Sequence, residues 1–136
     1  AWEPVPPTIA WIHAQHARAA ANESVPAPLL LAIGFKESRF KPVARPQCGV
    51  TQIAARKDRA RCRRLRDDNQ YAYDSAVEHL EAWLDQCATY GKRNIRCALT
   101  GYGRGTAAAR GKTDPYALNT LRLAARISTH DLTVNP

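Results

Sequence analysis

The spacing of apolar and polar positions predicts a chain built mainly from helices. Helical periodicity and helix-terminal residues indicate helices over residues 8–22, 28–38, 69–90 and 95–102. Thr8 is placed to cap the first of these, and Asp114 caps a last helix that begins at Pro115. No stretch of useful length alternates apolar and polar residues. Residues 48–53 could form a very small β element, a loop or the start of a helix.

Length and composition favour one globular domain. The chain has 136 residues, of which 45% are hydrophobic and 24% charged. We expect residues 1–7, with three prolines, to form an extended lead-in, and residues 8–136 to form the single domain. The longest apolar run, residues 29–35, is too short to span a bilayer. No signal peptide is visible, so we expect that one was removed or that the chain begins within a longer protein.

The four cysteines indicate in which cellular compartment the protein is located. They contain no Cys-x-x-Cys pair, which argues against a zinc or thioredoxin-type motif. An even number fits two disulfides with three possible pairings, of which Cys48–Cys62 and Cys87–Cys97 is the simplest. Disulfides would place the protein in the periplasm or outside the cell. The alternative is four buried free thiols in a cytosolic protein.

Glu37 interrupts an apolar helix face. Leu30, Ile33 and Glu37 are spaced to share one side of the second predicted helix. Glu37 also lies in the last turn, where the helix dipole disfavours a negative charge. Burial and the dipole should both raise its pKa, as a general acid requires, although Lys36 and Arg39 would partly offset this. The alternative is an ordinary glutamate whose side chain reaches water at the helix end.

Three short segments carry a family resemblance. Residues 37–42 (ESRFKP), 49–53 (GVTQI) and 98–105 (ALTGYGRG) follow one another in the chain. Together they resemble the motifs of SLT-type lytic transglycosylases and goose-type lysozymes, over roughly residues 9–127. Three features depart from the family. The loop over residues 43–48 is short, Thr51 replaces the usual methionine, and Gly103 replaces the usual asparagine.

The resemblance implies a mainly α, lysozyme-like domain with a groove between its first and later helices. It also implies cleavage of the β-1,4 bond between N-acetylmuramic acid and N-acetylglucosamine in peptidoglycan. Glu37 would protonate the leaving oxygen while the substrate's N-acetyl group stabilises the cationic sugar. Glu37, now a carboxylate, would take the proton of the C6 hydroxyl, which closes on C1 to give a 1,6-anhydro product. This chemistry implies no metal and no cofactor.

The same resemblance supplies the expected substrate-binding residues. Gln52, with Thr51 beside it, is expected to contact the acetamido group or the sugar ring. Tyr102 is expected to hold Glu37 or the acetamido group through its hydroxyl, and the alternative is a tyrosine of the core. Tyr71 and Tyr73 are candidates to line the glycan groove, because aromatic rings stack on sugar faces.

The remaining polar residues receive structural interpretations. No second carboxylate lies in the three motifs, and the acidic residues nearby are predicted to be solvated or to cap helices: Asp58, Asp67, Asp68 and Asp74. Ser38 lacks a histidine partner at a recognisable spacing and is predicted to pack at a helix end. The four histidines form no metal motif and are predicted to be solvated: His13, His16, His79 and His130.

A basic segment, residues 56–66, opens other interpretations. It carries seven positive charges and one negative charge, in a chain with a net charge of +8. A solvated basic surface is one interpretation, and attraction to anionic stem peptides and polymers of the cell wall is another. Nucleic acid is the least favoured partner, because no aromatic residue interleaves the arginines.

Two further functions compete with the transglycosylase prediction. A goose-type lysozyme-like muramidase would use water in place of the C6 hydroxyl and release a reducing-end product. Alternatively, the changes at Thr51 and Gly103 could mark a component of an envelope-spanning secretion machinery that binds peptidoglycan strands without cutting them. A carboxyl on an apolar face argues against such a binder, because burying a charge is costly.

Overall fold

The computed structural model describes residues 4–111 and 114–136. Within these ranges the protein is mainly helical, as predicted. In chain order the helices are α1 Pro7–Ala20, α2 Ala27–Ser38, α3 Arg59–Asp67, α4 Asn69–Ala88, α5 Ile95–Arg104, α6 Thr106–Arg110, α7 Pro115–Arg126 and α8 Thr129–Thr133.

Local side-chain chemistry starts most of the longer helices. The side chains of Asp58, Asp68, Asn94 and Asp114 accept hydrogen bonds from backbone N–H groups at the beginnings of α3, α4, α5 and α7. The prediction for Asp114 is therefore confirmed. Thr8 does not cap α1, because α1 already begins at Pro7, whose fixed φ suits a first helical turn.

The sequence pattern does not predict the two short helices α6 and α8. Each has five residues, which is too few for a period of 3.6 to be recognised. Residues 48–53 form a turn with one isolated antiparallel bridge between Cys48 and Ile53. The small β element is thus reduced to a single residue pair.

One core joins the long helices. Helix α2 packs against α1, α4 and α7, while α5 packs against α4 and α7. Leu30 and Ile33 are fully buried at the centre. The backbone of Gly34 approaches Tyr73 so closely that a Cβ there would lie 2.2 Å from the tyrosine Oη. The lead-in over residues 1–7 lies partly outside the described residues, and Val5 packs against the core.

A histidine–tyrosine pair corrects two expectations. His13, predicted to be solvated, is only 4% exposed, and its Nδ1 lies 2.9 Å from the Tyr73 hydroxyl. Burial, with a smaller contribution from His16, lowers the pKa of His13 to about 4. Tyr73 is fully buried and so does not line a surface groove. The hydroxyl of Tyr73 holds α4 against α1 instead.

Two disulfides form between sequence neighbours. Cys48 pairs with Cys62, and Cys87 pairs with Cys97, the simplest of the three pairings. The first bond ties the loop before α3 to that helix, and the second ties the end of α4 to the start of α5. Paired cysteines are typical of proteins outside the cytoplasm. Among the described residues, no helix combines the length and apolar character needed to cross a bilayer.

Candidate active site

Glu37 lies in the last turn of α2, where the helix meets α7. Leu30 and Ile33 on the same face are buried, which confirms that the face is apolar. Glu37 itself is half-buried, since the end of the helix leaves its side chain partly open to solvent. This combination leaves a carboxyl group at the edge of the core with limited solvation.

The environment of Glu37 favours its protonated form. Burial raises the pKa of the carboxyl, because the charged form loses hydration. The hydroxyl of Tyr116 lowers that pKa by a smaller amount. No second carboxylate contributes to this shift among the described residues. The site therefore contains a single carboxyl with a raised pKa, the property that a general acid needs.

Tyr116 is a site residue that the sequence did not reveal. It is the second residue of α7, and its hydroxyl is enclosed beside the Glu37 carboxyl. No hydrogen bond of the described structure uses this hydroxyl, although Tyr116 as a neighbour lowers the pKa of the Glu37 carboxyl. Burial and the neighbouring charge of Glu37 both raise the pKa of Tyr116, so its phenol stays protonated and can donate to the Glu37 carboxylate.

Tyr102 approaches Glu37 from α5. Its hydroxyl donates to the backbone oxygen of Thr51 at 2.6 Å, rather than to the Glu37 carboxyl as one expectation had it. Burial raises the pKa of Tyr102, and the charge of Glu37 adds to this effect. Tyr102 is therefore a close neighbour of Glu37 that fixes the turn over residues 49–52.

Gly103 explains how Tyr116 reaches the site. A Cβ at position 103 would lie 2.7 Å from Cδ2 of the Tyr116 ring, which is closer than real contacts allow. A larger residue at position 103 would displace that ring. The absence of a side chain at Gly103 therefore leaves the space in which Tyr116 packs beside Glu37.

The side chain of Gln52 forms hydrogen bonds with the backbone of the loop that contains it. Its Oε1 accepts from the Gln47 N–H at 2.9 Å, and its Nε2 donates to the carbonyls of Ala44 and Gly49, also at 2.9 Å. Gln52 has a positive φ of 53° and is only 9% exposed. These bonds use the amide inside the protein and give Gln52 a structural role, while its contact with substrate stays a prediction.

Thr51 likewise has its side chain turned inward. It is fully buried, and its hydroxyl donates to the Ala72 carbonyl of α4 at 2.8 Å, so it does not contact substrate as expected. Ser38 is buried at the end of α2 and donates to the carbonyls of Gly34 and Val50. The helix-end role predicted for Ser38 is confirmed. The turn over residues 49–52 is therefore clamped to α2, α4 and α5.

The other candidates lie around α3 and α4. Arg64 stacks its guanidinium over the Tyr71 ring at 3.8 Å, so one face of that ring is already covered. No hydrogen bond or ring contact links Tyr71 to Glu37 in the described structure, and its place in a groove stays a prediction. Asp58 and Asp68 cap helices as predicted, while Asp74 accepts from Gln70.

His79 and Trp83 extend the neighbourhood of Tyr102. The His79 ring meets the Tyr102 ring edge-on, with centroids 5.2 Å apart. His79, Trp83 and Thr106 are among the residues that line an open depression of about 320 Å³. Burial, with a contribution from Arg61, lowers the pKa of His79, which corrects its assignment as a solvated residue. His79 and Trp83 are spaced i, i+4 on α4, which is the sequence signal that places both side chains on one side of the helix.

No family model, curated protein or solved structure matches this chain. Within the described residues, no group of three histidine, cysteine, aspartate or glutamate side chains could hold a metal ion. The site therefore rests on its own geometry: one carboxyl with a raised pKa and two protonated phenols. The open depression at His79 and Trp83 is not lined by Glu37 and is linked to the site through the contact between the His79 and Tyr102 rings.

Proposed function

We propose that this protein cleaves peptidoglycan strands as a lytic transglycosylase, with Glu37 as the catalytic acid and base. The observation that carries the proposal is the half-buried Glu37 carboxyl, whose pKa is raised by burial. The motif resemblance around residues 37–42 names the substrate class. The paired cysteines agree with a location where peptidoglycan is found, in the periplasm or outside the cell.

The chemistry needs only one carboxyl group. Protonated Glu37 gives its proton to the glycosidic oxygen as the bond from C1 to that oxygen breaks. The substrate's N-acetyl group stabilises the cationic sugar, and the Glu37 carboxylate then removes the proton of the C6 hydroxyl. The C6 oxygen bonds to C1, so the anhydro product forms and Glu37 is protonated again.

The two tyrosines beside Glu37 have different roles in this mechanism. While Glu37 is ionised, the Tyr116 hydroxyl beside it stabilises the carboxylate, since it lowers the carboxyl pKa. Tyr102 keeps the turn over residues 49–52 in place through its bond to Thr51. The open depression beside Tyr102, lined by His79 and Trp83, is a suitable place for a neighbouring sugar.

The test is a digest of purified peptidoglycan analysed by mass spectrometry. Glu37→Gln removes the titrating proton with little change in shape, and Glu78→Gln changes an exposed glutamate of α4 as a matched control. We expect anhydro-muropeptides from the wild type and from Glu78→Gln. Glu37→Gln should lose about 10²- to 10⁴-fold in rate, the usual contribution of a general acid.

The products also separate the competing functions. Reducing-end muropeptides that depend on Glu37 would replace the transglycosylase proposal with a lysozyme-like hydrolase. If neither protein releases products although both bind peptidoglycan, the protein is a binding component of an envelope assembly. Equal activity of Glu37→Gln and the wild type would remove Glu37 from the mechanism.

A further inference from the structure

Five arginines surround an open cleft that does not include Glu37. The cleft has a volume of about 350 Å³ and is lined by Arg45, Arg56, Arg59, Cys62, Arg63, Arg66 and Asp67. We call it the arginine cleft. Asp67 is the acidic residue of its lining, so the cleft carries a strong excess of positive charge.

One wall of the arginine cleft comes from helix α3. Arg59, Arg63 and Arg66 are spaced i, i+4 and i+7, which places them on one face of the helix. Like charges at this spacing destabilise a helix, and Arg59 also lies at the positive end of the helix dipole. An anion in the cleft would relieve both repulsions.

The other wall comes from the loop before α3. Arg45 and Arg56 belong to this loop, and the Cys48–Cys62 disulfide holds the loop against the helix. Cys62 itself lies in the lining, so the covalent bond sits between the two walls. The loop and helix arginines are therefore held around a common space, rather than spread along a flexible basic tail.

The guanidinium groups have few partners inside the protein. Arg45, Arg56, Arg59 and Arg63 are exposed, and their side chains have no hydrogen bond or ion pair in the described structure. The Nη2 of Arg66 donates to the Gln47 carbonyl at 3.3 Å, while its buried Nε has no acceptor. Most of the donor capacity of the cleft is thus unused.

The positive surface continues beyond this cleft. A second depression of about 330 Å³ shares Arg56 and adds Lys57 and Arg61, and its lining also includes Asp58. Two adjoining basic depressions suit a chain with repeated negative charges better than one small anion. Arginine forks match the oxygens of phosphate groups, with two parallel hydrogen bonds each.

We propose that the arginine cleft binds a phosphodiester polymer of the cell envelope. The repeated phosphates would occupy the two adjoining depressions. No aromatic ring lines either depression, so the site lacks the stacking surface expected of a binder of single-stranded nucleic acid. The disulfide that shapes the cleft agrees with a location outside the cytoplasm. The proposal does not depend on glycan cleavage at Glu37.

The test measures binding of a labelled poly(glycerol phosphate) oligomer to the full chain by fluorescence anisotropy. A triple variant, Arg56→Gln/Arg59→Gln/Arg63→Gln, removes three positive charges from the cleft. The matched control removes three exposed arginines of α5 and α7, in Arg96→Gln/Arg122→Gln/Arg126→Gln. We expect the cleft variant to bind at least about tenfold more weakly and the control to change much less. The dependence of binding on salt should also become shallower in the cleft variant alone.

Three probes with matched charge decide the identity of the ligand. Poly-glutamate tests carboxylates, a DNA oligonucleotide tests nucleic acid, and vesicles containing phosphatidylglycerol test a lipid surface. The proposal is overturned if any of these binds more tightly than poly(glycerol phosphate), or if poly-glutamate binds equally well. Equal losses in the cleft and control variants would also overturn it, because net charge alone would then explain binding.

Two controls keep the result interpretable. Thermal melts show whether each triple variant is folded, and the single variants Arg59→Gln and Arg63→Gln replace the triple variant if it is not. Glu37→Gln should bind the polymer like the wild type. Failure of the cleavage proposal therefore leaves this one intact, and the reverse also holds.

Discussion

Glu37 is a single half-buried carboxyl among tyrosines, whereas the arginine cleft gathers five guanidinium groups at the surface. At Glu37 the elements α2, α5 and α7 converge through packed side chains. At the cleft, a loop and α3 are held together by a disulfide. The Glu37 carboxyl is poorly solvated, whereas most of the cleft arginines are exposed to solvent and are unusual only in their crowding.

The comparison shows two ways in which a protein can change the electrostatic properties of its charged groups. Burial changes the proton affinity of one group, and this effect is little screened by salt. A cluster of exposed charges acts through the local electrostatic potential rather than through the proton affinity of any one group. Salt weakens that potential strongly. We therefore expect the Glu37 site to respond to packing and pH, and the arginine cleft to respond to charge number, ionic strength and the disulfide.

Removing the disulfide of the arginine cleft should give the largest effect. Cys48→Ala/Cys62→Ala opens a link that spans 14 residues, and we expect it to cost about 3 kcal/mol in the free energy of unfolding. The loop arginines should then separate from α3, so binding of poly(glycerol phosphate) should also weaken. Urea denaturation and fluorescence anisotropy measure the two effects.

The second disulfide provides the control for this prediction. Cys87→Ala/Cys97→Ala opens a link of 10 residues and should lower stability by a similar amount, about 3 kcal/mol. Because this bond lies away from the cleft lining, phosphate binding by the folded protein should persist. If both pairs of substitutions reduce binding equally, the disulfide has no specific role in shaping the cleft.

A methyl group at Gly103 should disturb the Glu37 site and leave the cleft intact. Gly103→Ala forces the Tyr116 ring to move, because the new Cβ would lie 2.7 Å from it. We expect a loss of about 1–3 kcal/mol in stability, as for other overpacked positions, together with slower glycan cleavage. Gly111→Ala is the matched control, since the nearest atom to its Cβ lies at 3.6 Å. A Gly103→Ala protein as stable and active as the Gly111→Ala control would contradict the packing argument.

Removing the Tyr116 hydroxyl should give the smallest effect, a change in pH dependence. Tyr116 lowers the pKa of Glu37, so Tyr116→Phe should raise that pKa further. A general acid works in its protonated form, and cleavage should therefore fall at a higher pH in the variant than in the wild type. An NMR titration of the Glu37 carboxyl gives the same information without relying on activity.

Tyr90→Phe is the companion variant for the titration. The Tyr90 hydroxyl bonds to Gln86 at the far end of α4, so its loss should leave the Glu37 titration unchanged. A downward shift of the Glu37 pKa in Tyr116→Phe would mean that the phenol favours the neutral carboxyl. In that case Tyr116 would not stabilise the carboxylate during the reaction.

Much of this fold could be predicted because helix starts and helix faces depend on residues that are close together in the sequence. The Asp114 cap, the proline start of α7 and the helical face shared by Leu30, Ile33 and Glu37 are all confirmed. The disulfides also join neighbours in the chain, where closing a short loop costs little entropy. Thr8 failed as a cap because Pro7 had already begun the helix.

Tertiary packing decided which residues meet at the Glu37 site and which polar side chains are enclosed elsewhere. Tyr116 reaches Glu37 only because α7 packs on α2 and Gly103 leaves space for its ring. Gln52 was expected at the substrate, but the loop over residues 44–49 satisfies its amide. His13 was expected in water, but it meets Tyr73 within the core.

The sequence by itself determined helices α1, α2, α4, α5 and α7, the isolated carboxyl on an apolar face and the density of arginine in residues 56–66. Only the tertiary structure decided which polar groups are already satisfied and which remain available. The physical reason is that a hydrogen bond between distant residues depends on where whole elements pack. The periodicity of apolar residues predicts which face of a helix is buried. Only the packing of the helices decides which residues contact that face.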